Sequence, residues 1–295
     1  MQFLEKHIAE HSIEQKRLQE YGVGIFKRIT SKSALKKAIK KEMVFVDGKV
    51  ASTATFIRGG ERIEYHYDAV NNLNTRLKLN LEVIYEDDYI AVINKPAGIL
   101  VSGNSFKTVA NALRQNLKTS PIFDAVRPQP VHRLDYATTG CILVGKTNSS
   151  IIALNQLFED KKIHKIYYAV TIGSMNPMGT IEVPIDGKKA ISTYQVIDTI
   201  VSERFKFLNL VKLFPKTGRR HQLRKHMLAI GNPILGDPIY FLEDLLLKRK
   251  GLYLQAHSLG FVHPISEEKM FVTALNSKKF IKLFPNYISE VKVTK

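Results

Sequence analysis

Apolar residues first take helical spacing at Leu35, Ala38 and Ile39, which share one face of a helix predicted over 34–41. Ser31 or Ser33 stands where a cap is wanted, and Lys36, Lys37, Lys40 and Lys41 project away from the apolar face. The pattern then shifts to strands. Segments 43–46 and 49–52 flank Asp47-Gly48, a hairpin signal whose turn needs positive φ, and Gly59-Gly60 precedes another short strand over 61–65. The stretch 66–76, with Asn71-Asn72-Leu73-Asn74, is polar and aperiodic. It reads as a linker between two domains, 1–70 and 71–295.

Strand signals dominate the second domain. Segments 83–85 and 89–93 form a hairpin around the acidic tip Glu86-Asp87-Asp88, and Asn94-Lys95-Pro96-Ala97-Gly98 breaks it off, with Lys95 read as structural. A helix is expected over 109–117. The proline-marked passage from there to 130 is either a segment that closes over a ligand or a plain surface connection. Then comes a loop, 131–140, in which His132, Arg133 and Asp135 crowd together ahead of the apolar run 141–144, bounded by Gly140 and Gly145 in the manner of a buried strand. Asn148 or Ser149 caps a helix with Ile151, Leu154, Leu157 and Phe158 as its buried stripe.

Strands are predicted over 165–171 and 207–213. Tyr167 and Tyr168 must face opposite sides of the first, so one of them can enter a given pocket. A helix over 219–230 sets Leu223, Met227 and Ile230 on a core stripe with Arg220 and Arg224 along its border, an edge suited to an anion or a carboxylate. Turn and strand signals follow through Gly236-Asp237-Pro238 and 256–264.

Charge changes this picture most. A formal net charge of +17 favours polyanions, with nucleic acid first among them and a merely solvated cationic surface as the alternative. Residues 1–75 hold 13 Lys+Arg against 9 Asp+Glu and the remainder 31 against 18, so the larger domain should itself contact the polyanion. Cys141 is the only cysteine, which excludes an intramolecular disulfide and a thiolate metal cluster. His221 and His226 are five residues apart, about 140° around a helix, unlike the pair of a zinc protease. No metal is expected. No apolar run approaches the roughly 20 residues of a membrane helix, and residues 1–7 lack an apolar export core. A cytoplasmic protein without a membrane partner is expected.

Arg133 and Asp135 alone are compatible with a structural ion pair at a strand entry or with catalysis. Several motifs in order narrow the choice: YEDDYIAVINKPAGILV at 85–101, HRLDYATTG at 132–140, KIYYA at 165–169, TGRRHQLRKHMLAIGNPILGD at 217–237 and AHSLGFVHP at 256–264. Together they resemble the RluA family of RNA pseudouridine synthases, over roughly 77–265. The basic helix, VFVDGK hairpin and GGERIEY strand ahead of them resemble the S4 family of RNA-binding domains, although Gly22-Val23-Gly24 departs from that family's usual opening. A solvated surface helix on an ordinary small domain is the competing reading there.

The resemblance implies an α+β chain: a mixed, largely antiparallel sheet domain behind a small α/β S4-like domain. It implies isomerisation of uridine to pseudouridine within RNA, ribosomal RNA in particular, without a cofactor, by an enzyme expected to be a monomer. The family's catalytic aspartate falls on Asp135, its active-site tyrosine on Tyr167 and the arginine that pairs with the aspartate on Arg224. Its base-packing aliphatic falls on Leu223. Arg133 is the candidate for the RNA backbone or the space left by a flipped base, and Arg220, Lys36 and Lys40 are candidate RNA contacts. Thr139 stands where serine is usual, Cys141 where an aliphatic is, and Arg220 where threonine is common.

The residue types suit that chemistry. Cleaving an N-glycosidic bond builds positive charge at C1′, which a carboxylate traps or stabilises, and a nearby guanidinium would keep that carboxylate ionised. Direct attack at C1′ and proton removal from C2′ both remain open. An idle RNA-binding protein is one competing class, but binding alone has no use for a carboxylate beside phosphate. A nuclease or glycosidase is another, and the former ordinarily wants a metal-binding carboxylate cluster.

Overall fold

The computed structural model describes residues 2–11, 14–29, 31–68, 77–247, 250–275, 277–286 and 292–294. The chain divides into two compact units, Met1–Arg76 and Leu77–Lys295. The expected linker reached back to residue 66, but His66 to Asp68 belong to a strand, and 69–76 lie outside the described residues.

In the first unit a helix, Lys32–Lys40, buries Leu35, Ala38 and Ile39, and Ser31 is its cap, accepting a hydrogen bond from the Ala34 amide at 3.2 Å. A four-stranded antiparallel sheet runs in the order Gln2–Ile8, Arg62–Asp68, Val44–Val46 and Lys49–Val50. Asp47 and Gly48 sit at φ 48° and 76°, as the hairpin required. Ile63, Phe26 and Ile29 close the core over the helix.

The second unit is built on one large sheet of eleven strands among the described residues. Its path runs Met178–Ile181, Ser192–Ser202, Lys206–Pro215, His164–Ile172, Leu254–Val262, Thr139–Thr147, Ile90–Lys95 and Glu82–Glu86. Pairings along it are antiparallel except one. Where Thr139 and Gly140 meet Gln255 and Ala256, the strands are parallel. Gly140 is obligatory there, since it has φ +112° and a Cβ would lie 2.0 Å from the Ala256 carbonyl oxygen. The architecture is α+β, with helices Val109–Asn116 and Asn148–Glu159 packed on the sheet.

Three local expectations change. Ala125–Pro130, read as irregular, is a strand pairing with Thr139–Thr147 on one side only, and Pro128 and Pro130 are tolerated because an edge strand has amides to spare. The helix after that strand is capped by Thr147 rather than Asn148 or Ser149, with Ser150 completing a reciprocal pair of hydrogen bonds. The arginine-bearing helix starts at Gln222 instead of 219, because His221 turns into the left-handed region, φ 55° and ψ 26°. Arg220 therefore precedes the helix.

Candidate active site

Asp135 sits in the loop that enters a deeply buried strand of the sheet, Thr139–Thr147. Its backbone is pinned from both sides. Lys95, fully buried at the end of its own strand, donates through Nζ to the carbonyls of Pro96 (2.9 Å), Tyr136 (3.2 Å) and Thr138 (2.8 Å), and the Gly98 amide donates to Tyr136 O at 2.9 Å. Burial lowers the Lys95 pKa to about 8 against the pull of Asp135. A lysine spent on three backbone acceptors is a clamp for the loop. Lys95→Met should cost about 3 kcal/mol, since three carbonyls lose a charged donor and the Thr138 carbonyl loses it in a buried bond. Urea unfolding reads this directly, and wild-type stability in the variant would refute the clamp.

Arg224 approaches Asp135 from the helix Gln222–Ala229, with Nη1 at 3.4 Å from Oδ2. The same guanidinium is held by a second carboxylate. Nε and Nη2 of Arg224 donate to Oδ2 and Oδ1 of Asp237 at 2.6 and 2.7 Å, and Oδ1 of Asp237 also accepts from the amides of Ile239 and Tyr240. Arg224 is 3% exposed and Asp237 1%. Burial works against the Arg224 charge, but the Asp237 carboxylate outweighs it and holds the guanidinium above its ordinary pKa. The bidentate pair thus fixes the fork and leaves Nη1 facing Asp135.

Asp135 and Arg224 line a cleft of about 490 Å³. Its walls include Tyr167, Leu223, Arg133 and Arg220, so the cleft brings together the six candidates from the second unit. Burial and the Asp135 charge raise the Tyr167 pKa, so it is a neutral phenol with an aromatic face to offer. Arg133 and Arg220 are exposed at the rim, the latter from the turn before the helix rather than on its border. Lys36 and Lys40 are exposed on the helix of the first unit.

His221 lies with Nε2 at 3.7 Å from Asp135 Oδ1 and with Nδ1 2.9 Å from the Tyr240 hydroxyl. Burial lowers its pKa, and Arg224 and Arg220 add to that against the attraction of Asp135. The ring is therefore neutral at pH 7. His226 points elsewhere, to Ser192 and the Val183 carbonyl. The structure thus separates the two histidines.

Sequence reasoning missed Asp237 and Tyr240. Gly236-Asp237-Pro238 read only as a turn, yet Gly236 at φ +75°, with the Gly251 carbonyl 2.1 Å from where a Cβ would stand, sets Asp237 against the helix. An aspartate between glycine and proline, downstream of an arginine-bearing helix, was the available signal.

The family described as RNA pseudouridylate synthase matches residues 89–229. An uncharacterized RNA pseudouridine synthase of Aquifex aeolicus is 32% identical over 268 residues, 81% of this chain and 84% of the relative. The protein named ribosomal large subunit pseudouridine synthase D of Buchnera aphidicola is 35% identical over 272 residues, again 81% of this chain and 84% of the relative. Among solved structures, human RNA pseudouridylate synthase domain containing 4 superposes with a TM-score of 0.55 at 25% identity, over 68% of this chain and 90% of that one.

Proposed function

Given that the chain belongs to the RNA pseudouridine synthase family, we propose that it isomerises uridines of large-subunit ribosomal RNA and that Asp135 is the group that meets the sugar. The observation that carries the assignment is Arg224, shared between Asp237 and Asp135 on the wall of a cleft. Asp237 takes the Nε and Nη2 hydrogens of the guanidinium, so Asp135 meets only Nη1, at 3.4 Å, and keeps its oxygens available to a sugar in the cleft.

The reaction follows from that geometry. A uridine leaves its stack and enters the cleft, where the Tyr167 ring and the Leu223 side chain receive its base. Asp135 stabilises or traps C1′ as the bond to N1 breaks, the freed ring turns, and C5 bonds to C1′ while its proton goes to solvent. N1 gains a proton, so the sum is an isomerisation. Arg224 touches no substrate and acts through Asp135 as a positioning residue. Arg133 and Arg220 at the rim face the phosphates, and Lys36 and Lys40 extend the contact from an S4-like first unit. Among the described residues no helix is long and apolar enough to cross a membrane. We propose that the enzyme meets ribosomal RNA in the cytoplasm and acts as a monomer.

Release of tritium from unmodified large-subunit ribosomal RNA transcripts carrying [5-3H]uridine tests the proposal. Wild-type protein should release label at defined positions. Release from transfer RNA alone would overturn the substrate class, and release from neither would overturn the reaction.

A further inference from the structure

Lys165 is a charged group in the cleft that the reaction as described leaves unused. It stands on His164–Ile172 two residues before Tyr167, and both line the cleft. Residues two apart on a strand share a face, with Cα atoms about 7 Å apart. The register slip against Leu254–Val262, where Ile166 pairs with Ser258 and Tyr167 with Ala256, places the extra residue on the neighbouring strand, so the alternation of His164–Ile172 is intact. Lys165 and Tyr167 are thus successive groups along one wall.

Among the described residues the Lys165 side chain has neither a hydrogen bond nor an ion pair. Its titratable neighbour His132 accepts from the Leu143 amide at 2.9 Å and, with burial and the Lys165 charge holding its pKa at about 3, is neutral. The Asp135 charge acts on Lys95, Tyr167, His221 and Arg224, whereas burial alone lowers the Lys165 pKa. Lys165 thus lines the cleft on the same strand face as Tyr167, beside the neutral His132 rather than paired with Asp135. A desolvated ammonium without a counter-charge is costly to keep. A ligand that brings negative charge to that spot repays it.

We infer that Lys165 receives O4 of the flipped uracil and takes up the negative charge the ring acquires when the glycosidic bond breaks. This rests on the reading that the cleft accepts a uridine. C4 lies across the ring from N1. With C1′ held at Asp135 and the ring on Tyr167, O4 points along the wall toward Lys165. When the C1′–N1 bond breaks, its electron pair stays with the base and spreads onto O2 and O4, while the sugar keeps the positive charge. The cleft then offers each fragment its opposite: a carboxylate for the sugar, an ammonium for the ring. Both charges vanish when C5 bonds to C1′, C5 loses its proton to solvent and N1 takes one up. Cytosine presents an amino group at C4, a donor facing a donor, so the same lysine selects uridine.

Single-turnover tritium release at saturating RNA, with RNA affinity measured separately, tests the inference on Lys165→Gln and Lys165→Arg. Lys165→Gln should react about 100- to 1000-fold more slowly, the loss typical of an oxyanion donor, with its RNA Kd unchanged. Lys165→Arg should restore most of the rate and lack the alkaline fall in activity expected of the wild type as this lysine, its pKa lowered by burial, deprotonates. Of the cleft's other groups, His132 and His221 are held neutral by burial, and burial with the Asp135 charge pushes the Tyr167 phenol further up. A limb due to Lys95 would persist in the arginine variant. Wild-type rates in Lys165→Gln would overturn the inference, as would a loss confined to RNA affinity or an arginine variant with an unaltered alkaline profile. The arginine profile decides alone should the glutamine variant not fold. A wild type that releases no tritium would instead defeat the uridine reading itself.

Discussion

Replacing Asp237 with alanine should destabilise the second unit by about 3–5 kcal/mol, the range for stranding one member of a buried ion pair, and abolish turnover with it. Asp237 is 1% exposed and meets the guanidinium of Arg224 through both oxygens. Without it Arg224 is a buried cation whose one remaining carboxylate is Asp135, 3.4 Å away. The amides of Ile239 and Tyr240 lose their acceptor as well. Asp237→Asn keeps the shape and an acceptor oxygen, so it should fold better than the alanine variant while drawing Arg224 onto Asp135. Urea unfolding and tritium release, measured on both variants, check the two parts. An alanine variant as stable and active as wild type would show that Arg224 needs no second anchor.

Asp135→Asn should behave in the opposite way. Its side chain is 21% exposed, and Arg224 keeps its bidentate partner when the Asp135 charge is removed, so little stability is at stake. Removing a negative charge from a cleft rimmed by arginines should leave RNA binding equal or tighter. The rate, however, should drop by ~10⁴-fold, equivalent to ~5.5 kcal/mol of barrier, because an amide neither traps nor neutralises a cation at C1′. Single-turnover tritium release with a parallel filter-binding titration separates the two effects. A variant that binds and turns over normally would remove Asp135 from the chemistry.

Much of the site could be read from the chain because its residues carry local signals. Prolines and glycines set off the Asp135 loop, an apolar run marked the strand behind it, and alternation put Tyr167 and Tyr168 on opposite faces. Helical spacing placed Arg224 beside its core stripe, though it also put Arg220 on the helix. What broke that prediction is the left-handed backbone of His221, a conformation imposed by tertiary packing and invisible to propensity.

Partners distant in sequence were illegible for a related reason. Nothing in Asn94-Lys95-Pro96 says that its ammonium will gather carbonyls from residues 136 and 138, 41 and 43 positions away. Asp237 was hidden inside a turn signal, and the edge strand Ala125–Pro130 behind its own prolines. The N-terminal strand Gln2–Ile8 was missed as well, its Glu5 and Lys6 interrupting any apolar rhythm.

The most direct test is the structure of Asp135→Asn bound to an RNA carrying its target uridine. The uridine should be out of its stack, its base between Tyr167 and Leu223, and its C1′ about 3–3.5 Å from the side chain at position 135. A uridine still stacked in the RNA, or one bound with its sugar turned away from that side chain, would contradict the assignment of Asp135 as the group that meets the sugar.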